Sequence, residues 1–482
     1  MKIKSINISI LLFLAISSQV LAQDAAKTGQ AWTLEQCIEY ALKNNIQIQQ
    51  SQLNTELSQV NLLQSKANLL PSLNANASHS YNYGRTIDRF TNQFATKQVV
   101  SQNLSLSSDI TVFNGFQNIN SIQQNKYALI ASRYDVDKMK NDMSLNIARA
   151  YLQILFNIEL LANANNQMAI ISAQVERTKK LVEVGSTARG SLLDIQSQSA
   201  LEELNVTNAQ NQLDISYLTL TQLLNITTTE GFSIVRPDLT IANEALLTSS
   251  PGQIFSTAVS NLPEIKSAEY NVKSAEKAVD IAWGGISPRL SFSASYGTGY
   301  SGASQRVTTL PKFLGYTPDG RITTTGDTVL SPLFSSAGYE KIPYMDQYKD
   351  NVNKSFGFYL TVPLFNRFQT RSAISKARIQ KLNALLTVES SKLQLQKNIQ
   401  QAYADANASL KKYNATQKAL DAMQESFKYT EQKFNVGIVN TNDYNDAKNK
   451  LINTQSDLLQ AKYQYVFNTK VLDFYQGKPL KF

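Results

Sequence analysis

Phe113-Asn114-Gly115-Phe116 ends an alternating segment and opens a long run without glycine or proline, and Phe365-Asn366-Arg367-Phe368 does the same 252 positions later. The register continues: Tyr151, Gly185 and Asp194 recur as Tyr403, Gly437 and Asp446. Upstream, a register of 217 positions carries Ala41, Asn44, Ile48, Pro71 and Leu73 onto Ala258, Asn261, Ile265, Pro288 and Leu290. The offsets differ by 35 (252 less 217), so the second copy holds 35 extra residues between its two strands. A repeat of this kind means one supersecondary unit used twice, here a helix–strand–strand–helix unit.

The helical parts follow from what is missing. Phe116 to Val184 contains no Gly and no Pro, and neither does Asn366 to Val436. At about 1.5 Å per residue each run predicts a rod on the order of 100 Å, several times the roughly 30 Å of a bilayer's hydrocarbon. Heptad stripes run through Ala447, Leu451, Thr454, Leu458, Ala461, Tyr465 and Leu472, and through Val206, Ala209, Leu213 and Leu220 in the first copy. Narrow apolar stripes among Gln, Asn and Lys suit coiled-coil packing with water on the remaining faces.

Four segments between the helices read as strands. Leu290, Phe292, Ala294 and Tyr296 alternate with serines, and Phe356, Phe358, Leu360, Val362 and Leu364 alternate with Gly357, Tyr359, Thr361 and Pro363. The first copy is weaker: Leu73, Ala75 and Ala77, then Leu104, Leu106, Ile110 and Val112. Strands are expected at about 72–83, 102–113, 289–300 and 354–365, close to the roughly 9–11 residues of a membrane-spanning strand with one apolar and one wet face. Pro71 and Pro288 stand where helix gives way to strand, and proline forbids the helix to continue. Tyr81, Tyr83, Tyr300 and Phe356 are expected near strand ends, where an aromatic girdle sits.

Met1–Ala22 reads as a secretory signal peptide, with Lys2 and Lys4, an apolar run from Ile6 to Ile16 and small-residue cleavage chemistry at Val20-Leu21-Ala22. Cleavage before Gln23 leaves no Cys at the new N-terminus, which argues against a lipid anchor, and the only Cys, Cys37, reads as a small buried apolar residue. The charge of +9, or +7 without Lys2 and Lys4, is scattered among acidic residues with no basic run, so no nucleic-acid partner is expected. Beyond the signal no stretch of 18 apolar residues exists, so a membrane can be crossed only as a closed β-barrel. Four strands cannot close one, and an open sheet edge in lipid is forbidden. The strands therefore demand an oligomer if they span, with outer-membrane lipid around it.

The segment Trp32-Thr-Leu-Glu-Gln-Cys-Ile-Glu-Tyr-Ala-Leu-Lys-Asn-Asn-Ile46 resembles the N-terminal signature of TolC-like outer-membrane efflux proteins. Leu69-Leu-Pro-Ser-Leu73, Pro363-Leu-Phe-Asn-Arg-Phe368 and Phe434-Asn-Val-Gly-Ile-Val-Asn-Thr-Asn-Asp443 are similar to further parts of that family, in the same order. The resemblance implies a mainly α protein with a membrane β-barrel part: a homotrimer whose 12-stranded barrel continues into a 12-helix periplasmic α-barrel. It implies a periplasmic adaptor and an inner-membrane pump of RND or ABC type as partners. The expected division is a first repeat over 23–230 with its tip near 185, a linker over 231–250, and a second repeat over 251–482 with its tip near 437.

Gly185 and Gly437 supply the backbone freedom to end one helix and reverse into the next. By resemblance these tips form the periplasmic entrance and the adaptor contact, with Arg189 and Val439 beside them and the constriction carboxylates on Asp443 and Asp446, to which Asp194 corresponds in the first copy. Crowded carboxylates attract cations. From the residues alone, Asp443 and Asp446 equally suit a helix cap, as do Ser191 and Asp194. The family often has a basic latch residue where this chain has Val439, leaving Arg189 as the substitute. No catalytic triad, metal cluster or phosphate loop has coherent context, the single His79 lies in a strand, and neither enzymatic activity nor a cofactor is expected. Alternatives are a type I protein-secretion channel and, in another class, a soluble exported coiled-coil scaffold.

Overall fold

The computed structural model describes residues 31–84, 86–87, 94–95, 98–237 and 249–480. The signal-peptide reading over 1–22 and most of the linker over 231–250 lie outside the described residues. The first copy runs α1 (Leu34–Asn44), α2 (Ile46–Ala67), β1 (Asn74–Asn82), β2 (Thr86–Ile87), β3 (Phe94–Ala95), β4 (Val99–Phe113), α3 (Gln117–Glu183) and α4 (Arg189–Leu224). The second runs α5 (Pro251–Asn261), α6 (Pro263–Gly284), β5 (Arg289–Ser301), β6 (Gln305–Thr309), β7 (Phe313–Ile322), β8 (Thr328–Phe334), β9 (Gly338–Lys341), α7 (Tyr344–Asp350), β10 (Asn353–Thr361), α8 (Gln369–Asn435) and α9 (Thr441–Tyr475). The two glycine- and proline-free runs are single helices, α3 and α8, of 67 residues each.

The chain divides into two units, one within Met1–Ser58, Ala128–Val272 and Asn383–Phe482, the other comprising 59–127 and 273–382. The first is helical, and the repeat is visible in its packing. Cys37, Ala41 and Ile48 pack with Met143, Ile147, Ala150 and Ile154 of α3 and Leu220 of α4. Ile254, Ala258 and Ile265 pack with Leu395, Ile399, Ala402 and Ala406 of α8 and Leu472 of α9. Every residue of the second set stands 217 or 252 positions after its counterpart in the first. Thr33 with Gln36 and Ser250 with Gln253 form capping boxes at the same relation, each closing two orphan N–H groups at a helix start. Cys37 is fully buried, and that burial pushes its thiol up to about 12.

The second unit is built on one antiparallel sheet in the order β1-β4-β5-β10. Cross-strand partners share a face, so register sorts the side chains. One face carries Ala75 and Ala77 of β1, Leu104, Leu106 and Ile110 of β4, Phe292 and Tyr296 of β5, and Phe356, Phe358 and Leu360 of β10. The other carries Asn74, Asn76 and Ser78, Asn103, Ser105 and Ser107, Ser291, Ser293 and Ser295, and Ser355 and Gly357. One side of the sheet is mainly apolar, interrupted by His79, Gln102, Ser108, Thr298 and Lys354, and the other is mainly polar. Both of its outer strands, β1 and β10, have one unpaired edge.

Several expectations require correction. β10 stops at Thr361, short of the expected 365, because Pro363 cannot donate to a ladder. Phe356, the fourth residue of β10, is near the start of its own strand but not near the end of β5. It pairs with Ala294 in mid-sheet, since β5 runs on past the end of β10. Between β5 and β10 the second copy forms the antiparallel pairs β6–β9 and β7–β8, followed by α7.

Where strand turns into helix, the copies solve one problem with different residues. Gly115 and Phe116 both take positive φ, and so do Arg367 and Phe368, 252 positions on. Gly115 is also closed sterically: a Cβ there would lie 2.5 Å from the Gly284 carbonyl oxygen, and one on Gly284 would lie 2.5 Å from that of Gly115. Two predictions of opposite sign follow, read by thermal melting of far-UV circular dichroism. Gly284→Ala should destabilise by about 1–3 kcal/mol through overpacking, and an unchanged melt would contradict the close approach. Arg367→Gly should stabilise by roughly 1 kcal/mol by removing a left-handed non-glycine residue, and a lower melting temperature would show that Arg367 holds contacts worth more than its strain.

Candidate functional site

Two places carry function-bearing chemistry: the polar face of the sheet and the turns that end the long helices. The turns are built alike. At the first, Gly185 N–H donates to Val182 O at 3.0 Å and Ser186 N–H to Leu181 O at 2.8 Å. At the second, Gly437 N–H donates to Phe434 O at 3.0 Å and Ile438 N–H to Lys433 O at 2.9 Å. Gly185 has φ +76° and Gly437 φ +81°, the left-handed C′ residue of a Schellman turn. Such a turn satisfies the last carbonyls of one helix and aims the chain back within a few residues.

The helix starts differ from the sequence reading. Asn440, not Asp443, is the N-cap of α9: its Oδ1 accepts from Asp443 N–H at 2.9 Å, and its Nδ2 donates to Asp443 Oδ2 at 2.9 Å. Asp443 lies inside the first turn, favoured there by the helix dipole. Asp446 pairs with Lys450 at 2.7 Å across one turn. Asp443, Asp446 and Lys450 fall on one exposed face of α9, as the spacing of three and four requires. Asp446 is thus not a capping residue either. In the first copy the N-cap is Ala188, which makes no side-chain cap, so Ser191 and Asp194 do not cap α4. Asp194 and Arg189 are exposed on α4, and among the described residues neither forms an ion pair. Val439 is half-buried beside Asn440. Pro71 and Pro288 lie between helix and strand, and Pro363 between β10 and α8.

Behind the aspartates lies a feature the sequence reading missed. Tyr444 is buried with its ring stacked on Phe434 at 4.4 Å and tilted against Phe427 at 5.4 Å, which clamps α9 to α8. One turn on, Lys448 is only 5 % exposed, and its Nζ has no hydrogen-bond partner. Burial pulls its ammonium below the ordinary lysine range, while the carboxylates of Glu202 and Glu431 pull it partly back. Glu202 is itself buried but takes hydrogen bonds from Gln198 at 3.1 Å and Asn205 at 3.0 Å. Side-chain atoms of Gln167, Gln174 and Asn445 are buried without partners as well. Asn445 and Lys448 lie on one stretch of α9, and two unsatisfied buried polar atoms there lower its local stability. The available signal was spacing: Tyr444, Lys448 and Leu451 fall four and three apart, on one helix face.

Lys448→Met should raise stability at neutral pH by about 1–2 kcal/mol, the order of an unsatisfied buried polar group. A depressed lysine favours the fold only when neutral. The wild type should therefore gain stability as pH rises from its folded pKa toward the unfolded value near 10.5, and the Met variant should lack that gain. Parallel denaturation curves at several pH values check both points, and a less stable Met variant would mean that the ammonium is needed to neutralise Glu202.

The chemistry elsewhere is plain. No described helix is long and apolar enough to cross a membrane, and no cluster of metal-ligating residues occurs among the described residues. The polar face of the sheet offers serine, asparagine and glycine at successive rows, with two charged side chains, Asp109 in the row of Ser293 and Arg289 in the row of Thr361.

Comparison with known proteins places this geometry. The family described as "Outer membrane efflux protein" matches residues 37–225 and 254–477. The chain is 23 % identical over 447 residues to outer membrane protein TolC of Escherichia coli K12, covering 91 % of this chain and 81 % of that protein. Among solved structures, the Campylobacter jejuni CmeC outer membrane channel superposes with a TM-score of 0.73 at 16 % identity, over 92 % of this chain and 85 % of that one. Vibrio cholerae VceC superposes with a TM-score of 0.71 at 16 % identity, over 93 % and 97 %. With two family matches that together span most of its length, this outer-membrane chain belongs to the outer membrane efflux protein family, whose members are channels and not enzymes.

Proposed function

We propose that the protein is the outer-membrane exit duct of a tripartite efflux system, passively conducting small molecules delivered by an inner-membrane pump through a periplasmic adaptor. The observation that carries this reading is the four-stranded sheet with one apolar face, one polar face and two bare edges. Bare edges are intolerable in hydrocarbon, and pairing β1 of one copy with β10 of the next removes both. Three copies supply twelve strands, an even number within the range of outer-membrane barrels. The apolar face then meets lipid and the serine-rich face lines the pore.

Exposed stripes on the helices support closure by copies. Leu53, Leu57 and Val60 on α2 and Ile379, Leu382 and Leu386 on α8 are all more than half exposed in the single chain, and narrow apolar stripes of this kind are covered by neighbouring helices in bundles and coiled coils. In this reading two repeats, 23–230 and 251–482 with a linker at 231–250, contribute four helices per chain to a periplasmic α-barrel of twelve.

The tips at Gly185 and Gly437 form its periplasmic end. Asp443 and Asp446 share an exposed face of α9 and act as the gate, with Asp194 as the lesser contributor from α4. Asp443 and Asp446 of three copies make up to six carboxylates, which would favour cations and hold back anions. Arg189, exposed and unpaired among the described residues, serves as the latch that Val439 cannot provide, and both residues lie at the adaptor contact. Opening moves the tip helices apart, and the poorly satisfied packing around Lys448 lowers the cost of that movement.

Single-channel conductance of the purified protein in a planar bilayer tests the duct and its gate together. Wild type should show a small, cation-preferring conductance. Asp443→Ala with Asp446→Ala should raise the conductance and weaken the preference. Unchanged conductance and selectivity in the double variant would remove both residues from the gate, and no insertion of folded protein would remove the duct.

A further inference from the structure

The 35 extra residues of the second copy lie between β5 and β10, and α7 is the part that returns the chain to the sheet. β10 pairs with β5 only as far as Asn353 opposite Gly297, whereas β5 runs on to Ser301. α7 takes up the vacated edge. The Gln347 side chain accepts from Ser301 N–H at 2.9 Å and donates to Ser301 O at 3.1 Å, Thr298 Oγ1 donates to Tyr348 O at 2.7 Å, and Asn351 donates to Gly299 O at 2.9 Å. The helix is thus fixed to backbone groups that a longer β10 would have used.

Its tyrosines show which side of the sheet it serves. His79, Gln102 and Tyr300 form one cross-strand row, on the face that carries Leu104, Leu106, Phe292 and Phe358. His79 and Gln102 are polar interruptions of that apolar face, and they bond each other at 2.7 Å. The hydroxyls of Tyr344 and Tyr348 both donate to Gln102 Oε1, and the Tyr344 ring lies 4.9 Å from that of Tyr300. Met345, next to Tyr344, is 66 % exposed, while Asp346, Lys349 and Asp350 occupy the remaining positions of the helix.

The depth fits a membrane boundary. From Gln102 to Phe113 is eleven residue steps, and at ~3.4 Å per step with a 35–45° tilt this gives about 26–31 Å of height, close to the roughly 25 Å apolar band of an outer-membrane barrel. The row under α7 therefore falls at the outer water interface, where tyrosine's apolar body and polar tip are favoured.

We propose that α7 is an outer-leaflet anchor: it lies on the lipid side of the barrel's outer rim and presents Tyr344, Met345 and Tyr348 to the boundary between lipid headgroups and acyl chains, not to the channel mouth. This rests on the barrel reading given above. The insertion thus supplies an interfacial bracket where β10 is too short to reach, and its tyrosine hydroxyls satisfy Gln102, a polar side chain that would otherwise face hydrocarbon.

Spin labelling in phosphatidylethanolamine–phosphatidylglycerol vesicles tests it. One nitroxide is attached to Met345→Cys, with Leu106→Cys and Ser105→Cys as lipid-face and pore-face references. Unsubstituted protein serves as the blank, because its Cys37 is fully buried. Collision with oxygen, which concentrates in lipid, is compared with collision with a water-soluble nickel chelate. The label on Met345→Cys should favour oxygen, at a depth shallower than the label on Leu106→Cys. If the Leu106→Cys label reads lipid while the Met345→Cys label reads water alone, as the Ser105→Cys label does, the anchor is overturned and the barrel stands. If the Leu106→Cys label also reads water, the barrel reading falls and the anchor with it.

Discussion

A strand edge cannot be left bare in hydrocarbon, because each unpaired N–H and C=O there costs several kcal/mol. That constraint organises this protein. The sheet β1-β4-β5-β10 has the alternation of a barrel wall but ends in two open edges. One chain has no means of closing them, so the polar and apolar faces become an inside and an outside only in an assembly. The same reasoning reaches the rim, where α7 occupies the edge of β5 that β10 fails to cover.

Within one chain the same unit is built twice. Corresponding residues build the core of each copy, corresponding capping boxes start α1 and α5, and Schellman turns with the same hydrogen-bond pattern end α3 and α8. Against so regular a background the departures stand out. Arg367 takes a left-handed conformation where the first copy has glycine. Asn440 caps α9 where Ala188 leaves α4 uncapped. Lys448 is buried without a partner close to the exposed aspartates. These departures lie at the two ends of α8, Arg367 before it and Asn440 and Lys448 beyond it.

Much of the architecture is legible in the sequence because it rests on strong local signals. Seventy residues without glycine or proline have little choice but helix, and apolar–serine alternation around Phe292 and Phe358 has little choice but strand. Less visible are features set by register and by cavity. The cap at α9 was misassigned because Asn440, Asp443 and Asp446 are all capping residue types, and only the position of the first helical turn separates them. α7 and the hairpins before it were hidden in a segment rich in threonine, glycine and tyrosine, a composition shared by loops and short strands. Lys448 carries no distinguishing sequence signal because a lone lysine on a helix is usually solvated, and its burial depends on how α4, α8 and α9 come together.

The central claim is that copies of the chain close one sheet by joining β1 to β10. Cysteine cross-linking in native membranes tests this most directly, with one cysteine at Ala77 in β1 and a second at Phe356, Phe358 or Leu360 in β10, taken in turn. The account predicts that one of these pairs, on oxidation, gives covalently linked dimers and trimers and nothing larger. No link at any pair, or a ladder running past three chains, would contradict it.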